Sequence, residues 1–176
     1  MAEKMQNKGK IEAWDIHEHR VKLVQNTAER LGINIIYAKA QDATKFNENL
    51  VGKFDKILLD VPCLGLGVIK RKPDIKWKRK KEDIKEITKI QKAILNNCSK
   101  YLKKNGELVY STCSILKEEN EDIIEEFLKE NSQYEICKEN EKNYENIAIF
   151  GEKDKYINLY PSQENDGFFI CKLQKM

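Results

Sequence analysis

The chain has 176 residues, the size of one ordinary domain, and a hydrophobic share of 40% that suffices for a core. Its 32 basic and 29 acidic side chains nearly cancel to a formal charge of +3, which argues against charge-driven disorder. No apolar run approaches the roughly 18–20 residues of a membrane span, and the charged N-terminal stretch Met1–Lys8 lacks the apolar region of a secretory signal.

Residues 10–16 read as a strand ending at Asp15. From His17 to Leu31, Val21, Leu23, Val24, Ala28 and Leu31 fall near helical spacing, and Gly32 supplies a stop. The β-branched run Ile33–Ala38 predicts a second strand, followed by a polar loop or short helix over 41–53. Phe54–Asp60 is a third strand. Residues 82–104 carry the longest helical pattern, with Ile84, Ile87, Ile90, Ile94, Leu95, Cys98, Tyr101 and Leu102 on one side. Asn105-Gly106 breaks it before a fourth strand, Glu107–Thr112. An acidic helix over 117–131, a short strand over 134–137, an irregular stretch over 138–160 and a closing strand over 166–173 complete the chain. Strands alternating with helices predict a mostly parallel α/β sheet covered on both faces, in one domain over 1–176.

In such sheets ligands sit outside the carboxyl ends of the strands. Those ends carry Asp15, Asp42, Asp60 with Pro62-Cys63, and Thr112-Cys113, so three acids and two cysteines are expected to converge on one edge. Asp15 can bind the hydroxyls of a ribose or cap the helix that follows it. Asp42 taken alone reads equally as a solvated loop acid. Cys63 and Cys113 are each a nucleophile or a small buried apolar residue. Cys98, Cys137 and Cys171 lie in apolar patterns and are read as core. The five cysteines show no Cys-x-x-Cys, and His17 and His19 have no ligand partners, so no metal is expected. A disulfide scaffold is improbable for the same reason, and the expected setting is the cytoplasm.

The modest net charge hides an asymmetry. Residues 70–81 hold eight basic side chains and one acidic one, whereas residues 118–145 hold eleven acidic and three basic. Within the basic stretch, Lys70, Arg71, Lys72, Lys78 and Arg79 can contact phosphates while Trp77 stacks on a base. The same stretch reads alternatively as a solvated charged loop.

Together Asp60-Val-Pro-Cys63, Gly65-Leu-Gly67, Arg71-Lys-Pro-Asp-Ile-Lys-Trp77 and Tyr110-Ser-Thr-Cys-Ser114 with Glu119-Asn-Glu121 resemble the Sun/RsmB family of RNA cytosine-5 methyltransferases. Ala13–Arg20 and Asp166-Gly-Phe-Phe169 are similar to the same family, and the bacterial members acting on small-subunit ribosomal RNA are the nearest in pattern. The resemblance covers nearly the whole chain in the expected order. It implies a Rossmann-like sheet, S-adenosyl-L-methionine as cofactor, and RNA, of ribosomal origin, as partner. It also implies that Cys113 attacks carbon 6 of the cytosine while Cys63 assists product release, although DNA cytosine-5 methyltransferases attack from a Pro-Cys and spacing does not settle the two roles. By the same pattern Asp15 holds the cofactor's ribose and Asp42 lies by its adenine. Asp60 borders the cofactor and can hydrogen-bond the cytosine.

The sequence also departs from the family. No Gly-x-Gly or Gly-Gly precedes Asp15, so the first, central strand and the Gly-rich loop for the cofactor's methionine half are expected to be missing, as is the N-terminal RNA-binding domain. On this reading the chain is the C-terminal portion of a larger catalytic domain. The competing readings are a non-catalytic RNA-binding remnant and a fragment that only displays the fold.

Overall fold

The structure, a computed structural model, describes residues 1–137 and 155–176. Two compact units divide the chain, Met1–Lys45 and Phe46–Met176.

In the first unit, β1 (Ile11–Asp15) pairs in parallel with β2 (Ile36–Ala40), with Asp15 opposite Ala40. Parallel neighbours need a crossover, and α1 (Glu18–Arg30) supplies it. The second strand starts three residues later than the β-branched run suggests. Ile33 donates its N–H to Ala28 O and Asn34 donates its N–H to Asn7 Oδ1, so these residues complete the helix exit instead of joining the sheet. Only Val21 and Ala28 of the expected apolar stripe are buried, while Leu23 and Leu31 are exposed. A two-stranded sheet is too narrow to cover more of a helix.

The second unit orders its strands β3-β4-β7-β5, with β6 also on β7. β3 (Phe54–Asp60) and β4 (Leu102–Thr112) are parallel. β7 (Phe168–Lys175) runs antiparallel to β4, to β5 (Tyr134–Ile136) and to β6 (Ile157–Leu159). Four strands therefore share one direction and only the closing strand opposes them, an α/β sheet of Rossmann-like character. Among the described residues no strand pairs with the other edge of β1 or of β3.

The connections are α2 (Ile75–Lys78), α3 (Lys81–Lys100) and α4 (Glu121–Glu130). Here the sequence pattern overshoots. The long helix ends at Lys100, and Leu102 is the first residue of β4, opposite Phe54. Lys53 and Phe54 both donate their N–H groups to Tyr101 O, which ends the helix four residues early and draws the chain into the sheet five residues early. The expected irregular stretch 138–160 lies mostly outside the described residues, and its last part contains the strand β6.

The core lies where α3 and α4 meet β4 and β7. Leu95, Leu102, Leu108, Tyr110, Ile123, Ile124, Phe169 and Leu173 are all essentially inaccessible. Burying each such side chain contributes about 1.5–3 kcal/mol. Tyr110 and Phe169 meet edge to face across the β4–β7 pair, at 6.2 Å between ring centroids. This packing holds the carboxyl ends of β3 and β4 side by side. No helix among the described residues is long and apolar enough to cross a membrane.

Candidate active site

β3 and β4 are parallel neighbours with Asp60 in register with Ser111, so both strands release their loops at the same end of the sheet. Cys63 lies three residues past β3 and Cys113 one residue past β4. Their Sγ atoms are 3.0 Å apart, and both residues are half-buried. Cys98 and Cys171 belong to the core, as their apolar settings suggest, whereas Cys137 is only half-buried.

Two thiols in contact do not ionise independently. Either sulfur can donate to the other. With the proton on Cys63, its S–H stabilises the Cys113 thiolate and brings Cys113 down to about 7 against desolvation and the charges of Asp60 and Glu119. The same hydrogen bond, with burial, pushes Cys63 far above the ordinary thiol range. The pair thus offers one thiolate near neutrality, where a free thiol is mostly protonated. Asp60 is exposed by area and makes no side-chain hydrogen bond among the described residues. Desolvation by the protein around its carboxyl raises its pKa.

The loops are tied together below the sulfurs. Gly67 donates its N–H to Cys113 O at 2.9 Å and accepts from Gly167 N–H at 2.8 Å. A Cβ on Gly67 would lie 2.3 Å from Gly167 O, so only glycine fits between the two chains. Glu119, fully buried, accepts from Leu64 N–H, from Gln91 Nε2 and from the Ser114 hydroxyl. Asn120 accepts from the Thr112 hydroxyl and donates to Ser114 O.

Of the site residues expected from sequence, the second unit brings together Asp60, Cys63 and Cys113. Asp15 and Asp42 belong to the first unit, at and just beyond the carboxyl ends of β1 and β2. Asp15 accepts from His17 N–H at 2.8 Å, and its other oxygen lies 3.4 Å from Arg20. The cap reading is thus only partly met, because the N-cap position of α1 is held by His17 and Asp15 lies two residues before it. Asp42 accepts from the N–H and hydroxyl of Thr44, which lower its pKa. A carboxylate ending a parallel strand, with one oxygen held by the backbone turn and the other only weakly engaged, suits a ribose diol. Both carboxylates are acceptors, which the ribose hydroxyls and adenine amino group in the nucleoside half of S-adenosylmethionine would match. Among residues 1–14 no glycine pair offers amides for the methionine half.

The basic stretch is less free than its composition suggests. Lys70 Nζ donates to Gln163 O, Arg71 pairs with Asp166 at 2.7 Å, Lys78 pairs with Asp74, and Arg79 Nε donates to Leu64 O. Arg79 and Arg71 therefore brace the Cys63 loop and the loop before β7. Trp77 is 81% exposed with the Lys76 ammonium 5.5 Å from its ring centroid, and the Lys72 side chain makes no hydrogen bond or ion pair among the described residues. No group of three or more His, Cys, Asp or Glu among the described residues could hold a metal.

Sequence reasoning placed Gly67, Glu119 and Asn120 within the motifs of the resemblance but gave them no role in the site, and it missed Gln91 altogether. Gln91 left a signal, since it interrupts the apolar stripe Ile84, Ile87, Ile94, Leu95, Cys98 at a core-facing position. Apart from the Glu119-Asn-Glu121 motif, no local pattern of polarity told buried Glu119 from exposed Glu118.

The family profile described as 16S rRNA methyltransferase RsmB/F matches residues 1–174. The chain is 41% identical to the probable ribosomal RNA small subunit methyltransferase B of Bacillus subtilis, over 99% of this chain and 40% of that protein. It is 38% identical to ribosomal RNA small subunit methyltransferase B of Escherichia coli, over 94% of this chain and 36% of that one. The chain thus spans well under half the length of these relatives. Among solved structures, NSun6 from Pyrococcus horikoshii with SFG, an analogue of S-adenosylmethionine, superposes with a TM-score of 0.82 at 30% identity, covering 99% of this chain and 43% of that one.

Proposed function

The chain belongs to the RsmB/F family of 16S ribosomal RNA methyltransferases, and on that premise we propose that it forms catalytic-domain sequence of an S-adenosylmethionine-dependent RNA cytosine-5 methyltransferase acting on small-subunit ribosomal RNA in the cytoplasm. The observation that carries this reading is the pair of thiols 3.0 Å apart on the loops after two adjacent parallel strands, beside an acid whose pKa is raised.

Carbon 5 of cytosine is a weak nucleophile. Addition of the Cys113 thiolate to carbon 6 forms a C–S bond and moves the electron pair toward carbon 5, which then forms its bond to the methyl group. A base removes the carbon 5 proton, the electron pair re-forms the 5,6 double bond, and the C–S bond breaks to return the Cys113 thiolate. Cys63, which retains its proton at neutral pH, stabilises that thiolate as it leaves. Asp60, whose pKa burial raises, hydrogen-bonds the cytosine at its amino edge or ring nitrogen and stabilises the adduct. Asp15 would hold the ribose hydroxyls of S-adenosylmethionine and Asp42 would lie by its adenine, with Asp60 also assigned to the cofactor. When bound, S-adenosylmethionine would supply the electrophilic methyl group, the electron pair of the broken S–CH3 bond remaining on its sulfur as a neutral thioether. Lys72 and Trp77 contact RNA directly, and Lys70, Arg71, Lys78 and Arg79 add positive potential around them.

The test is covalent capture on RNA containing 5-fluorocytosine, whose fluorine blocks the release step, using the protein as expressed from its own gene. Cys113→Ser is expected to abolish the trapped complex. Cys63→Ala is expected to accumulate complex on ordinary RNA. Capture by Cys113→Ser but not by Cys63→Ala would reverse the two roles, and capture by neither variant nor the wild-type protein would remove the cytosine-5 reading.

A further inference from the structure

Each cysteine of the pair has both of its chain neighbours held by the same small set of buried side chains. On the Cys63 loop, Pro62 O accepts from Gln91 Nε2 at 2.9 Å and Leu64 N–H donates to Glu119 Oε2 at 3.0 Å. On the Cys113 loop, the Thr112 hydroxyl donates to Asn120 Oδ1 at 2.6 Å and the Ser114 hydroxyl donates to Glu119 Oε1. Gln91 Nε2 also reaches Glu119 Oε2, at 2.9 Å. Glu119 is the one side chain in this set that binds both loops. It is 0% exposed and makes no ion pair among the described residues.

We propose that Glu119 is the positioning residue of the two-cysteine centre, a buried carboxylate that holds the residue after Cys63 and the residue after Cys113 in one grip so that the two sulfurs meet. The proposal deepens the methyltransferase reading and rests on it for its functional meaning, but its geometry stands by itself. A buried carboxylate is costly unless every lone pair finds a donor. Here three donors from three different elements converge on it: the loop after β3, the helix α3 and the loop after β4. A carboxylate is the side chain suited to this task because it accepts on both oxygens and donates on neither. Its charge also acts on the thiols. Of the charged and titratable groups acting on Cys113, Asp60 and Glu119 oppose its ionisation and Cys63 favours it. Glu119 opposes that of Cys63 as well. The grip therefore holds the sulfurs together while its charge resists the thiolate, and the Cys63 hydrogen bond is what outweighs that resistance at Cys113.

Two properties follow that a merely structural residue would not show. Removing the carboxylate should separate the sulfurs, whereas neutralising it without changing its shape should keep them together and make Cys113 more acidic. Glutamine at this position can still accept from Leu64 and Gln91 through its oxygen while its amide donates to the Ser114 hydroxyl.

The experiment measures phenylarsine oxide, which closes a ring across two thiols and releases one water. Capture is followed by mass and by peptide mapping to Cys63 and Cys113, on protein shown by circular dichroism to be folded. Glu119→Ala is expected to slow capture at least tenfold. Glu119→Gln is expected to capture at the wild-type rate and to lower the pH midpoint of Cys113 alkylation by iodoacetamide. Phe127→Leu, a change in the core part of α4, is expected to lower the melting temperature without slowing capture. Should Glu119→Ala not fold, Ser114→Ala decides, because of the three contacts to Glu119 it removes only the one from the Cys113 loop, together with the long Leu116 N–H bond to Ser114 Oγ, and it is expected to slow capture several-fold. Wild-type capture by Glu119→Ala, or by Ser114→Ala in its place, would overturn the proposal. Equal slowing in Phe127→Leu, or a Glu119→Gln midpoint that stays or rises, would overturn it too. None of these readouts involves methyl transfer, so their failure and the failure of RNA capture are separate results.

Discussion

The Sγ atoms of Cys63 and Cys113 lie 3.0 Å apart although fifty residues separate them in the chain. The contact exists because β3 and β4 are parallel neighbours whose ends are in register, Asp60 against Ser111. A shift of one residue in that pairing would turn every side chain of the shifted strand to the other face and displace its loop, parting the sulfurs.

The contact sets a pH dependence. Cys113, brought to about 7 chiefly by the hydrogen bond from Cys63, should be alkylated with a midpoint near neutrality. In Cys63→Ala the donor is gone, so the thiolate loses its stabilisation and the midpoint should rise toward the ordinary thiol value of about 8.5. Rates of iodoacetamide labelling between pH 5 and 10, with Cys113 followed by peptide mapping, check this. A midpoint that falls or stays in Cys63→Ala would show that the pair is not coupled in this sense.

Gly67 has Cys113 O on one side and Gly167 N–H on the other. In Gly67→Ala the new methyl would meet Gly167 O at 2.3 Å and Cys113 O at 2.8 Å, and backbone on both sides must move. Overpacking of this kind costs about 1–3 kcal/mol, which for a chain of this size lowers the melting temperature by about 2–4 °C per kcal/mol. Thermal unfolding followed by circular dichroism measures it. An unchanged melting temperature would mean the loops separate at no cost.

The basic stretch should divide into two classes of variant. Lys72→Ala is expected to weaken RNA binding and to flatten the dependence of log K on log salt by about 0.7–0.9. Trp77→Ala is expected to weaken binding by about 1–3 kcal/mol with the salt slope retained, as the loss of a base stack does. Arg79→Ala removes the donor to Leu64 O and should instead slow dithiol capture at the neighbouring cysteine. Filter binding at several salt concentrations separates these outcomes. Equal slopes for all three variants would reduce the stretch to diffuse charge.

Glu107 on β4 pairs with Lys172 at 2.6 Å and Lys56 at 2.7 Å, and these contacts, Lys172 first, hold its carboxyl below the usual value. A carboxylate depressed in the native state adds stability above its unfolded pKa and loses it as the pH falls through the native one. The Glu107 side chain is 27% exposed and Lys56 far more so, so solvent screening keeps the contribution to about 0.5–1 kcal/mol. Urea unfolding of wild type and Glu107→Gln should therefore differ at pH 7 and converge below about pH 4. A difference that persists at pH 3 would point to packing, not charge.

Short-range patterns determined much of this protein by themselves. The β-branched and apolar runs located β1, β3 and the closing strand β7, and the helical spacing located α1 and α3, because side-chain periodicity is a local property of the backbone. The motif residues Asp60, Cys63 and Cys113 were legible because a strand end followed by Pro-Cys or Thr-Cys places a reactive group where a parallel sheet holds its ligands. Tertiary structure alone decided the rest. The end of α3 at Lys100 depends on Tyr101 O being claimed by Lys53 and Phe54, residues that lie far away in sequence. The pairing of Arg71 with Asp166 and the donation from Arg79 to Leu64 O tie these side chains to neighbouring loops, which no count of charges shows. Glu119 and Glu118 are adjacent and chemically identical. Only the packing of α3 and the two cysteine loops around one of them makes it the buried carboxylate on which both loops converge, because a charge can be buried only where several donors from distant segments arrive together.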